Sequence, residues 1–190
     1  MILRSQLKED QYVRVQPKLD DEDFWYKPMS GRYFGINSIA KEPDEARSYG
    51  PCMGSLVCWG MNYCLQLFNG NMEPVPEREQ ERIRYIFENP GEFKDLFKLG
   101  RKIERQVREV ERIIEDDLGC RGHNIWEYQK AEYLIEDINL DAFNNLDEED
   151  IADLEDDLKE SFNEFLALLD KLTELEDKYI RQWAQEKASA

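Results

Sequence analysis

The chain has 190 residues, of which 41% are hydrophobic, 12% aromatic and 35% charged, and it carries a net charge of −17. That length allows one domain or a small head with a helical extension, and the apolar content argues against wholesale disorder. So acidic a balance also argues against direct binding to nucleic acid, because phosphate contacts need an excess of cations.

Met1 to Asp10 turns polar almost at once and forms no basic, apolar leader, so a cytoplasmic protein is expected. The longest apolar stretch, Cys52 to Phe68, contains Asn62, Tyr63 and Gln66. It falls short of the roughly 20 residues that a membrane span needs, so no membrane contact is expected.

In chain order, three β-prone aromatic segments come first: Gln11 to Val15, Phe24 to Lys27 and Arg32 to Ile36. Pro17, Asp20, Asp21, Pro28, Gly31 and Pro43 punctuate them, which predicts a small antiparallel sheet confined to roughly the first 50 residues. Pro51 and the Asn69-Gly70 pair then bracket a segment in which Met53, Leu56, Val57, Met61, Cys64, Leu65 and Phe68 follow three-and-four spacing. This spacing predicts a buried helix near residues 51–69.

Beyond Pro74-Val75-Pro76, a short helix is expected over 77–89, followed by helices over 92–118 and 124–138. A final helix is expected from about Asp147 to about Lys187, a run without glycine or proline. Its stripe of Ile151, Leu154, Leu158, Phe162, Phe165, Leu169, Leu172, Tyr179 and Trp183 keeps close to a heptad rhythm. Such a helix needs an antiparallel partner, either the 92–118 helix or a second copy in a homodimer.

The expected fold is therefore mostly α, of the α+β class: a small N-terminal antiparallel β region followed by a helical bundle with a long, coiled-coil-like C-terminal helix. We divide it into a head at 1–76, holding the 51–69 helix, and an acidic helical hairpin or bundle at 77–190.

Charge is unevenly spread. Residues 115–170 hold 19 acids against Arg121, Lys130 and Lys159, which accounts for nearly all of the net charge. On the last helix Glu149, Asp153, Asp156, Glu160 and Glu164 advance by three or four residues and share one side, away from the apolar stripe. Each step rises about 5–6 Å, comparable with the spacing of charges along a nucleic-acid backbone. Acidic faces usually interleave lysines for i,i+4 pairing, and here only Lys159 does so. Uncompensated repulsion points to a field directed at a basic partner.

Other motifs are thinner. Arg101, Arg105, Arg108 and Arg112 share one helical side, but Glu104, Glu109 and Glu111 flank them, so pairing with the acidic helix or solubility is the expected role. Asp137, Asn139, Asp141, Phe143, Asn145 and Glu148 fall on the ligand positions of an EF-hand loop, with Ala142 where the sharp turn wants glycine. A polar turn with Asn145 or Asp147 as helix cap is the simpler reading.

Cys52, read as the start of a helix, could be an activated thiol, and with His123 and Asn124 it writes out a cysteine-hydrolase set. The pair Cys120 and His123 lacks the second pair that structural zinc needs. The chain has one histidine, no phosphate-binding glycine loop and no Gly-x-Ser-x-Gly or His-Glu-x-x-His motif. No enzyme activity, cofactor or metal is expected.

The leading expectation is a non-catalytic inhibitor whose partner-binding residues, Glu149, Asp153, Asp156, Glu160 and Glu164, occupy the basic surface of a nucleic-acid-binding protein or nuclease complex. In charge and size it is similar to phage anti-defence inhibitors and bacterial immunity proteins, by analogy and not by motif. The rivals are a helical adaptor binding through its apolar seam and a cysteine hydrolase using Cys52 and His123.

Overall fold

The computed structural model describes residues 7–16, 28–39, 52–61, 66–67, 71–119, 123–138 and 147–189. An N-terminal antiparallel sheet is followed by a helical bundle that ends in a long C-terminal helix. The strands are β1 (Tyr12–Gln16), β2 (Tyr33–Ile39), β3 (Cys52–Leu56), β4 (Gln66–Leu67) and β5 (Asn71–Pro74), in the order β4-β3-β2-β1-β5. Alternation sends Val13, Val15, Phe34 and Ile36 to one side of the sheet and Arg14 and Tyr33 to the other. The expected segment at Phe24 to Lys27 lies outside the described residues.

Two sequence expectations are corrected here. The buried helix near 51–69 is instead strand β3 and the short β4, so β structure extends to Pro74 and not only to residue 50. The three-and-four spacing of Met53, Leu56 and Val57 masked a period of two in Cys52, Gly54 and Leu56, all buried. Pairing with β2 decides between the two patterns, since β3 runs antiparallel to it with Ser55 opposite Gly35 and Gly54 opposite Ile36. Gly60 then takes a φ of 77°, a left-handed conformation that an α-helix cannot accommodate.

The helices are α1 (Glu77–Glu88), α2 (Lys94–Arg112), α3 (Ala131–Ile138), α4 (Glu148–Glu176) and α5 (Trp183–Ser189). A π-helical turn, Ile113–Asp117, extends α2, and a second, Asp177–Gln182, joins α4 to α5 without a break. The expected 124–138 helix is divided: a 3-10 turn, Ile125–Glu127, capped by the Asn124 side chain, precedes α3. Asp147, not Asn145, caps α4 by accepting from the backbone N–H groups of Glu149 and Asp150.

The long helix finds its partner within the chain. Asp95 meets Tyr179, Lys102 meets Glu164, and Gln106 donates to the Ser161 carbonyl, so numbers rise on α2 as they fall along the C-terminal helix. The pair is antiparallel. Leu158, Phe162, Phe165, Leu169 and Leu172 of the seam are buried with Ile103, Val107 and Val110 in one core that also takes in the sheet. Beyond Glu176 the seam changes phase: Ile180 and Ala184 are buried, whereas the expected Tyr179 and Trp183 are half-buried. The π turn supplies the reason, because one extra residue per turn advances the buried positions by one. A backbone carbonyl released in this turn, that of Tyr179, accepts from Arg82 Nε at 2.9 Å.

Among the described residues no helix is long and apolar enough to cross a membrane.

Candidate partner-binding surface

α4 separates two chemistries because its sequence is apolar every three or four residues and acidic in between. Glu149, Asp153, Asp156, Glu160 and Glu164 are all exposed, on the side turned away from Leu158, Phe162, Phe165 and Leu169. Over these 15 residue steps the ladder extends about 22 Å. Two lysines temper it: Lys102 of α2 pairs with Glu164 at 3.0 Å, and Lys159 lies 3.1 Å from Glu155 and 3.9 Å from Asp156. Both lysines are solvent-facing, and exposed pairs of this kind contribute about 0–1 kcal/mol each.

The ladder sits on a rigid support. One flank of α4 is sealed by α2, and Trp126 packs edge-on against Phe165 at 5.0 Å below it. A helix held this way presents its carboxylates in fixed relative positions, so a partner need not order them on binding.

Three arginines of α2 make contacts within their own helix. Arg108 pairs with Glu104 at 2.8 Å, Arg112 with Glu109 at 2.9 Å, and Arg105 donates to the Arg101 carbonyl at 3.4 Å. These contacts lie within one helix, while the cross-helix ion pair to the ladder comes from Lys102.

Cys52 and His123 occupy different surroundings from those a helix-start thiol implied. Cys52 is a buried β3 residue whose thiol lies 3.6 Å from Met72 Sδ, and burial pushes the thiol above its ordinary pKa. The helix dipole invoked to activate it is therefore lacking. His123 Nδ1 lies 3.1 Å from Asp137 and 3.4 Å from the Tyr128 hydroxyl, and that hydroxyl also donates to Asp137. Asn124 serves as the cap already described. We expect Cys52 in the folded chain to resist a thiol reagent such as dithionitrobenzoate, and to react only as the protein unfolds. Stoichiometric labelling of Cys52 under native conditions, mapped by mass spectrometry, would contradict this.

Of the EF-hand-like set, 139–145 lie outside the described residues, and Asp137 is engaged by His123 and Tyr128. Among the described residues no group of three or more His, Cys, Asp or Glu could hold a metal ion. Cys120 also lies outside them.

A buried polar network that the sequence reading did not identify ties the sheet to the C-terminal helix. Glu176, 2% exposed, accepts from Trp59 Nε1 at 2.7 Å and from Arg32 Nη1 at 3.2 Å. Arg32, 4% exposed, also donates from Nη2 to the Leu169 carbonyl at 2.6 Å and to Thr173 Oγ1 at 2.9 Å. Beside it the Tyr33 hydroxyl donates to Glu79 at 2.9 Å, and burial together with that carboxylate raises the Tyr33 pKa. Its donors and acceptors answer one another, so the network acts as a fastener that fixes the register of α4 against the sheet.

Comparisons of this chain with protein-family models, with curated proteins and with solved structures find no match. The functional reading therefore rests on the surface itself.

Proposed function

We propose that the protein is a non-catalytic binding protein whose α4 ladder engages the basic surface of a protein partner, and that it inhibits that partner by occupying a groove otherwise used for nucleic acid. One observation carries the reading: five carboxylates stand exposed along one side of a helix whose other side is committed to the core. Like charges at this spacing repel, and the exposed pairs with Lys102 and Lys159 offset little of that. A directed field of this kind accelerates encounter with a cationic groove and weakens as salt rises.

The seam that would serve an adaptor is packed against α2 inside the chain, which favours the charged face as the contact surface. The test is capture from host extract at low and high salt, comparing the native chain with a variant in which the five ladder residues carry Gln for Glu and Asn for Asp. A basic protein retained by the native chain at low salt, released at high salt and absent from the variant is the expected result. Equal retention by both chains would remove the ladder from the account.

A further inference from the structure

Outside the ladder and the buried network, a groove opens between α3 and the middle of α4, lined by Gln129, Lys130, Glu132, Tyr133, Asn163 and Leu166. Its position follows from helix geometry. Lys102 reaches Glu164 from the α2 side, whereas Asn163 and Leu166 turn to the opposite side, toward α3. The ladder is thus a ridge with α2 on one flank and this groove on the other, and Asn163 lies one turn from Glu160 and two from Asp156.

The groove combines three features. Its rim is acidic: Glu132 lines it, and Glu136 of α3 and Glu160 and Asp170 of α4 are exposed on neighbouring turns, against Lys130 and Lys159. Leu166, half-buried, gives it an apolar wall. The face of Tyr133 carries a cation already: Lys130 Nζ lies 5.7 Å from the ring centroid.

We propose that this groove receives an arginine side chain of the basic partner, an inference that rests on the ladder reading above. A guanidinium can lie flat on the Tyr133 ring in place of the Lys130 amine while its edge donates to Glu132 and to the Asn163 amide oxygen. The methylenes of the same side chain cover Leu166. Lysine offers a point charge without the planar fork, so the ladder attracts any cation and the groove selects arginine.

The test uses the full chain, isotope-labelled for NMR, titrated at about 50 mM salt, where screening is weak, with nona-arginine and separately with nona-lysine. Both peptides should shift the backbone amides of the ladder, and nona-arginine alone should shift the Leu166 methyls and the Tyr133 ring. Nona-arginine should bind about fivefold more tightly, the difference of about 1 kcal/mol expected when a planar fork adds a hydrogen bond and ring stacking that an ammonium cannot match. That ratio should fall to about one in Asn163→Arg, which places the chain's own guanidinium beside the groove without touching the core. Tyr133→Leu should give the same fall and guards against a local effect of the added charge. Ladder shifts with a silent groove and no arginine preference would overturn this inference and leave the ladder reading standing. Silence of both regions would overturn both.

Discussion

Gly100→Ala is expected to destabilise the protein by about 3 kcal/mol or more, although alanine is the better helix former by about 1 kcal/mol. Gly100 lies mid-way along α2, where it is buried against the backbone of Trp59. A Cβ at this position would come within 2.7 Å of the Trp59 carbonyl carbon and nearer still to its oxygen. Backbone cannot swing aside as a side-chain tip can.

The Trp59 segment is held from the other directions too. Its indole stacks on Phe87 at 5.0 Å, meets Phe97 edge-on at 6.2 Å and donates to Glu176. Relief therefore requires the contact between the Trp59 segment and α2 to open. At roughly 2–4 °C per kcal/mol for a chain of this size, the melting temperature should drop by about 6–12 °C. Gly91→Ala is the control, since nothing lies within 4 Å of a Cβ there. Equal melting temperatures for the two variants would show that the packing of Trp59 on α2 is looser than these distances imply.

Arg32→Met should be of similar severity, losing about 3–5 kcal/mol, because it keeps the apolar stem and strands the groups that the guanidinium satisfied. Chief among those is the Glu176 carboxylate, since the Leu169 carbonyl would still accept from the Thr173 hydroxyl. Glu176→Gln should also destabilise, since Trp59 and Arg32 donate to different oxygens of the carboxylate and an amide supplies only one of them.

The pH dependence separates the two substitutions. Burial holds the Glu176 carboxyl above the ordinary carboxylate range, against the opposing pull of Arg32 and of the Trp59 bond. The native state then binds this proton more readily than the unfolded chain does. The group's contribution is fully present below the ordinary glutamate value of about 4.3, is lost as pH rises from there to the raised native value, and is constant above it. Glutamine does not titrate. The stability of the native chain relative to Glu176→Gln should therefore fall as pH increases across that window, read from urea midpoints at several pH values. A difference that grows with pH would mean that the pairing with Arg32 outweighs desolvation.

Much of the helical half was legible in the sequence because its signals were local. Pro76, Pro90 and Gly119 bound helices, Asp147 caps one, and the seam from Ile151 to Leu172 has a period that only a helix satisfies. The head was less legible. The segment from Cys52 fits helical spacing as well as it fits alternation, and the tie is broken by its pairing with β2, a contact between residues not adjacent in the chain.

The polar fastener did leave a signal. After Leu169 and Leu172 the stripe places Glu176 on the buried face, an acid where an apolar residue belongs, and such a residue calls for a buried partner. Which cation answers it was not readable, since Arg32 is 144 residues away. The α3–α4 groove was equally hidden, because it arises only when the two helices pack. The ladder was legible in full, since five carboxylates at three-and-four spacing share a side of any helix.

The ladder's role is tested most directly by the variant that combines Glu149→Gln, Asp153→Asn, Asp156→Asn, Glu160→Gln and Glu164→Gln. No apolar contact is lost and repulsion along α4 is relieved, so stability should hold to within about 1 kcal/mol or rise. Its association rate with the basic partner captured by the native chain should drop about tenfold at low salt, and the gap should narrow above about 0.15 M, where the screening length is roughly 8 Å. A folded variant that associates as fast as the native chain at both salts would contradict the account.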